Sequence, residues 1–313
     1  MAKICFEPKE FRQNTLALID KCNVILERYD AAGFDMTVRQ VYYQLVAADE
    51  IENSEKSYNK IQGLLNDARL AGLVDWDFIV DRTRTLRKLS AWNSPQHILE
   101  NSHRGFRIDK WASQDFRPEV WIEKDALVGV FERVCNELQV PVMSCRGYAS
   151  LSVMFEAGQR RFNEYIEDDQ TPYILHFGDH DPSGIDMSRD IVDRVALLTD
   201  AEYPLSMKIG EPEFVRLALN MNQVDQYQPP PNFAKLSDTR AKKYVAKFGK
   251  SSWELDALEP TVLSNLVREN ILAIRDEDRW LEAVAEENHH KETLSRIAEN
   301  YDEIEQFLDD NEL

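Results

Sequence analysis

The stretch from Tyr173 to Gly184 constrains this chain more than any other. Tyr173-Ile174-Leu175-His176-Phe177 is a short apolar run, and Gly178-Asp179-His180-Asp181-Pro182-Ser183-Gly184 ends it. An apolar run bounded by Gly and Pro reads as a buried strand. Asp179 and Asp181 sit at its end, and residues i and i+2 of extended chain point the same way. Two such carboxylates repel each other unless a cation stands between them. Mg²⁺ suits the pair, because it takes few carboxylates and keeps places for waters and substrate phosphates. The same pattern is also ordinary loop chemistry, in which an Asp caps the next helix.

A carboxylate upstream favours the metal reading. Glu119-Val120-Trp121-Ile122 is a second strand pattern, closed by Glu123 and Lys124, and helix-like sequence follows from Asp125 to Leu138. A third apolar run spans 140–145. Helix-like segments separate all three, which is the alternation of a parallel α/β sheet. Such sheets bind ligands beyond the carboxyl ends of their strands, where Glu123, Asp179 and Asp181 would project. Residues 184–198 have helical spacing, with N-terminal N–H groups that could hold a phosphate. Residues 214–219 read as a further strand.

Glu123-Lys124 at one strand end, with Asp179-His180-Asp181-Pro182-Ser183-Gly184 at another, resembles the TOPRIM domain. The proline resembles the topoisomerase VI A-subunit branch, which includes the meiotic double-strand-break transesterase. That branch carries an N-terminal winged helix with a catalytic tyrosine. Thr37-Val38-Arg39-Gln40-Val41-Tyr42-Tyr43-Gln44-Leu45 is similar to its tyrosine motif. Thr37 suits an N-cap, and Arg39 and Tyr43 share a helix face. The resemblance implies Tyr43 as nucleophile, with Tyr42 the fallback, and Mg²⁺ on Glu123, Asp179 and Asp181. It implies cleavage of double-stranded DNA by transesterification, leaving a 5′-phosphotyrosyl link. It also implies a C2 homodimer in which Tyr43 of one protomer meets the carboxylates of its partner. Forming a phenolate at pH 7 from a reference pKa near 10 costs on the order of 4 kcal/mol. The Arg39 guanidinium would lower that cost and grip the phosphate.

Two positions depart from the family pattern. Gln40 stands where the family has Asp. Arg146-Gly147-Tyr148-Ala149-Ser150 resembles a Gly-x-Pro-Asp loop with Ala149 and Ser150 in place of its last two residues. Two other readings therefore stand beside transesterification: a hydrolytic TOPRIM nuclease with a structural Tyr43, and a DNA-binding subunit that has lost cleavage.

The expected architecture is α/β with an α-rich N-terminal domain, a winged helix-turn-helix followed by a Rossmann-like TOPRIM parallel sheet. The winged helix would span 1–92, a polar connector 93–118, the TOPRIM domain 119–275 and an acidic helical segment 276–313. Amphipathic helices over 11–31, 38–48 and 54–72, then a strand over 76–81, suit the first domain. Arg82, Arg84, Arg87 and Lys88 form the sharpest basic cluster and would track DNA phosphates, with Lys124 a further contact. Lys235, Arg240, Lys242, Lys243 and Lys247 form the one basic concentration of the second half.

A net charge of −19 weighs against nucleic acid only where it is concentrated. The first 125 residues carry 18 Lys+Arg against 20 Asp+Glu; the remainder carry 19 against 36. Acidity therefore lies away from the N-terminal region, so DNA is not excluded, though tight non-specific binding is disfavoured. The 313 residues allow two cores. No apolar stretch reaches membrane length, and the polar start is no signal peptide. Cys5, Cys22, Cys135 and Cys145 form no Cys-x-x-Cys pair, so neither zinc nor a disulfide framework is expected. A cytoplasmic, nucleoid-associated protein fits. Gly249-Lys250-Ser251 lacks the first glycine of a phosphate loop, since Tyr244 stands there, so any ATPase would be a separate subunit. His289 and His290 read as surface residues. Leu294, Ile297, Tyr301, Ile304 and Leu308 predict one amphipathic helix, packed on the sheet domain or in a dimer contact.

Overall fold

The computed structural model describes residues 3–80, 91–199, 214–233 and 238–311. In chain order the first helices are α1 (Gln13–Ala31), α2 (Val38–Ala47), α3 (Glu55–Leu70) and α4 (Pro95–Gly105). An alternating stretch follows: β1 (Phe116–Ile122), α5 (Val128–Glu137), β2 (Val142–Ser144), α6 (Leu151–Phe155), α7 (Asn163–Glu167), β3 (Thr171–Phe177) and α8 (Pro182–Leu198). Then come β4 (Phe214–Ala218), α9 (Met221–Tyr227), β5 (Asn232–Phe233), α10 (Ala241–Phe248) and β6 (Ser251–Ser252). The helices α11 (Pro260–Ile274), α12 (Glu277–Glu299) and α13 (Tyr301–Asp310) close the chain. Two compact units result, one of Met1–Arg84 with Pro118–Leu272, the other of Thr85–Arg117 with Ala273–Leu313.

In the larger unit the three expected N-terminal helices form. Thr37 starts α2 by a capping box: its Oγ1 accepts from Gln40 N at 3.3 Å, and Gln40 Oε1 accepts from Thr37 N at 2.7 Å. Gln40 thus serves the helix start. Ile19, Leu26, Val41, Leu45, Ile61 and Leu65 fill the core between these helices. Of the strand expected over 76–81, the described residues 76–80 form none. Asp75 Oδ1 accepts from Asp77 N at 3.0 Å, which folds the chain into a turn, and a single parallel bridge joins Ile79 to Met36. Asp81 and the basic cluster Arg82, Arg84, Arg87 and Lys88 lie outside the described residues, as does Lys235.

The second part of this unit is a four-stranded parallel sheet of order β2-β1-β3-β4. Its inner strands are buried, β1 from Pro118 to Ile122 and β3 from Pro172 to Phe177, as expected where helices cover both faces of a parallel sheet. Trp121 of β1 and Ile174 of β3 pack with Met154, Phe162, Ile191 and Val195, and Phe131 meets Phe177 with ring centroids 4.6 Å apart. Strand β3 turns directly into α8. Asp181 caps that helix, its Oδ1 accepting from Gly184 N at 2.6 Å, and Pro182 takes the first turn. A Cβ on Gly184 would stand 2.2 Å from the Asp179 carbonyl oxygen, so only glycine lets the helix begin this close to the strand end. Cys22, Cys135 and Cys145 are buried free thiols and Cys5 is exposed. Among the described residues no helix is long and apolar enough to cross a membrane.

The stretch expected as a connector, 93–118, belongs instead to the smaller unit. Ser94 caps α4, and the segment after it finds partners along α12. Trp111 meets Trp280 at 5.7 Å, and the Gln114 amide brackets the start of α12, accepting from Asp276 N at 2.7 Å and donating to Asp276 O at 3.0 Å. The predicted single C-terminal helix is two. Asn300 separates them, its side-chain amide donating to Arg296 O at 2.7 Å in competition with the helical ladder.

Glu287, 5% exposed, is a buried carboxylate of this unit, with Lys110 buried beside it. It accepts from Lys110, from Lys291 at 2.6 Å and from Ile108 N at 3.2 Å. Burial alone would raise its pKa, but the Lys110 and Lys291 hydrogen bonds outweigh burial and hold it at about 2. A depressed carboxyl stabilises the fold above its unfolded value, near 4.3, and loses that contribution as pH falls through about 2. Glu287→Gln is therefore expected to cost about 3 kcal/mol at pH 7. The gap from wild type should shrink as pH falls from 4.3 toward 2, as read by urea unfolding across that range.

Candidate active site

Parallel strands β1 and β3 end side by side, and the residues just past them carry the acids. Glu123 N donates to Phe177 O at 2.9 Å, and Glu123 Oε2 accepts from Asp179 N at 2.9 Å. Asp179 is 7% exposed; its Oδ1 accepts from Leu255 N at 2.7 Å and its Oδ2 lies 3.0 Å from Lys124 Nζ. Asp181 keeps one oxygen on the α8 cap, where Ser183 Oγ also donates to it at 2.8 Å. Beneath them the Arg216 guanidinium, from β4, donates to the carbonyls of Gly178 at 3.0 Å, Asp179 at 2.6 Å and Gly184 at 3.1 Å. Burial pushes Arg216 down to about 10 despite the nearby Glu123, Asp179 and Asp181.

A segment that motif reading passes over brings two more acids. Residues 254–257 turn through a short 3₁₀ helix, and Ala257 packs into the core around α2. Glu254 Oε2 accepts from Lys124 Nζ at 2.8 Å and from Arg39 Nη2 at 2.8 Å, while its Oε1 accepts from Asn232 Nδ2 at 3.2 Å. Asp256 is 2% exposed, lies 3.3 Å from Arg39 Nε and 3.4 Å from Lys124 Nζ, and neither of its oxygens makes a hydrogen bond. The Arg39 guanidinium also lies 5.9 Å from the Tyr43 ring centroid, so Tyr43 and Glu254 stand on either side of one cation. A continuous path of ion pairs therefore runs from Arg39, beside Tyr43, through Glu254 and Lys124 to Asp179.

These groups line one cavity of about 970 Å³, with Asn53, Tyr58, Arg146 and Phe233 toward its other walls. Of its lining residues seven are acids and three are basic, so the cavity is net negative. Burial first, then Glu123 and Asp256, pushes Asp179 upward against the pull of Lys124. Glu123 is raised as well, chiefly by burial. Burial alone would lower Lys124, but Asp256, Asp179 and Glu254 outweigh it and raise it. Of the Lys124–Asp179 pair the ammonium charge is the firmer, since three carboxylates face it while Asp179 has like charges on two sides. Lys124 and Arg39 overcome burial and hold Glu254 at about 2. Tyr43 is raised, by burial and then by the Glu254 charge.

The sequence-predicted residues fall as follows. Tyr43, Arg39, Glu123, Asp179, Asp181 and Lys124 share this cavity. Lys124, expected on DNA phosphate, stands beside the buried acids Asp179 and Asp256 and the half-buried Glu254, which need a cation. Tyr42 donates to Asn53 Oδ1 at 2.9 Å and sits in the same wall. Ser150, at the departing loop position, caps α6, its Oγ accepting from Val153 N at 3.3 Å. Arg240 pairs with Asp238 at 2.7 Å. Sequence reasoning missed Glu254, Asp256, Arg216 and Arg146. The only signal for the first two was a pair of acids beside Trp253, far from any motif.

The donor set fits a hard dication in chemistry: it is all oxygen, it carries surplus negative charge, and Asp256 has two buried oxygens without hydrogen bonds. As the side chains stand, however, no three metal-ligating groups among the described residues are arranged to hold an ion. Lys124 supplies the positive charge there. Compared with known protein families and with curated proteins, the chain matches none.

Removing the ammonium should expose that surplus. Lys124→Met is expected to destabilise the chain by about 3 kcal/mol or more at pH 7, since it strands buried carboxylates. Adding Asp256→Asn should recover part of the loss, and Mg²⁺ should raise the thermal midpoint of Lys124→Met more than that of wild type. Thermal unfolding with and without Mg²⁺ reads all three.

Proposed function

We propose that this chain is a metal-dependent DNA strand transesterase, similar in plan to the topoisomerase VI A subunit, with a winged-helix-like α-rich part and a TOPRIM-like sheet. The observation that carries the reading is the meeting of Tyr43, Arg39 and the strand-end acids Glu123, Asp179 and Asp181 in one cavity. These residues lie far apart in sequence, and an α/β sheet collects ligand groups at this edge. Mg²⁺, held by Glu123, Asp179 and Asp181, would supply the positive charge that lets a phosphodiester enter a net-negative cavity.

The chain's own residues would do the rest. Arg39 is one helical turn from Tyr43 and can grip a phosphate oxygen once it leaves Glu254. Arg146 lines the same cavity, held 3.1 Å from Asp125, and offers a second phosphate contact. The Tyr43 oxygen attacks phosphorus and becomes the 5′-phosphotyrosyl link. The resemblance places the tyrosine opposite its partner's acids, whereas here Tyr43 and the acids line a cavity in a single chain. Cutting both strands of a duplex still takes two sites, so a C2 homodimer on double-stranded DNA remains part of the proposal. Strand passage would need a separate ATPase subunit.

One observation favours a second reading, hydrolysis by water with a structural tyrosine: Tyr43 is 3% exposed. The two separate on supercoiled plasmid with Mg²⁺, denatured and assayed for protein bound covalently to 5′ ends. Transesterification predicts covalent ends in wild type and none in Tyr43→Phe or Asp179→Ala. Cutting that survives Tyr43→Phe but fails in Asp179→Ala overturns it in favour of hydrolysis.

A further inference from the structure

We propose that Glu254 is the proton acceptor for Tyr43, a role that rests on the transesterase reading above. Gln40 stands where the resembled motif has an acid, and that glutamine is committed to the helix cap. Glu254 fills the vacancy from across the fold. It lines the same cavity as Tyr43 and pairs with the Arg39 guanidinium that lies 5.9 Å from the Tyr43 ring centroid, and it is held there by three donors: Arg39 at 2.8 Å, Lys124 at 2.8 Å and Asn232 at 3.2 Å. Its backbone is fixed as well, because Leu255 N donates to Asp179 and Ala257 is packed into the core around α2.

The charged and titratable groups facing this pair are Arg39 and Tyr42 from α2, Lys124 after β1, and Asp256 on the same turn. In the resting chain Arg39 and Lys124 spend their charge on Glu254, which makes it a weak base, and Tyr43 keeps its proton. A phosphodiester on Arg39, and a cation at Asp179 that releases Lys124, would take those charges away. Glu254 then becomes a stronger base just when substrate is present. In the step itself the Tyr43 oxygen forms a bond to phosphorus and its proton passes to the Glu254 carboxylate. The bond from phosphorus to the 3′ oxygen breaks, and that oxygen keeps the electron pair and takes a proton from water. Glu254 later returns its proton to solvent.

Glu254→Gln keeps the shape and removes the charge. Single-turnover formation of the covalent 5′ adduct, measured from pH 6 to pH 10, is expected to fall about 100-fold at neutral pH, within the usual range for a lost general base. The deficit should shrink about tenfold per pH unit as pH rises, because the phenol must then ionise to solvent. Glu254→Asp should retain part of the rate. A second readout needs no activity: in full-length protein carrying ¹³Cζ-tyrosine, the resonance lost in Tyr43→Phe should titrate at lower pH in Glu254→Gln than in wild type. Wild-type adduct with an undiminished or pH-independent rate in folded Glu254→Gln overturns the acceptor role and leaves the transesterase reading standing. No adduct from wild type overturns that reading and the acceptor role with it. An unshifted Tyr43 resonance likewise overturns the acceptor role.

Discussion

A single ammonium group holds the site together. Lys124 follows the end of β1 and touches Asp179 after β3 and both Glu254 and Asp256 on the 254–257 turn. That turn packs on α2, so one cation ties the sheet edge to the helix that carries Arg39 and Tyr43. Burying this many carboxylates is costly unless each finds a positive charge or a hydrogen-bond donor. The fold meets the cost with Lys124, Arg39, Arg216 and backbone N–H groups. Asp256 is left as the least satisfied member, with its carboxylate oxygens lacking hydrogen bonds. The arrangement stays net negative at rest, which opposes the entry of a phosphate.

The same segment also gives the two unusual motif positions a physical account. Gln40 closes a capping box and Ser150 caps α6, so each departure from the acid expected there serves a helix start. Glu254 places a carboxylate near Tyr43 by a different route. An acid can be relocated in sequence while the chemistry of the pocket is retained, because the phenol responds to charge and distance and not to chain order.

Much of the fold was legible in particular stretches. The buried run at β3 follows from apolar residues ended by Gly and Pro and that at β1 from the apolar pattern closed by Glu123, and their carboxyl-end acids follow from the rule for parallel sheets. Thr37 and Ser94 announce α2 and α4, each as an N-cap. What local sequence did not disclose depends on partners far along the chain. Trp76–Asp81 alternates like a strand, yet the Asp75 side chain draws the chain at Asp77 into a turn. Residues 93–118 are polar enough to suggest a connector, yet Lys110 and Gln114 are buried against α12. Glu254 and Asp256 carry no motif at all, and only the packing of Ala257 near α2 brings them to Tyr43. The Asp-x-Asp ending was ambiguous between a helix cap and a metal site. Asp181 performs the cap with one oxygen and still lines the cavity, so the two readings are compatible.

On the proposed function, Lys124 stands where an exchangeable cation would bind between the strand ends. Anomalous scattering from a crystal soaked in Mn²⁺ tests it most directly. The predicted result is a peak bounded by Glu123, Asp179 and Asp181, with the Lys124 ammonium drawn away from Asp179. Lys124 unmoved on Asp179, with no peak among these acids, would contradict it.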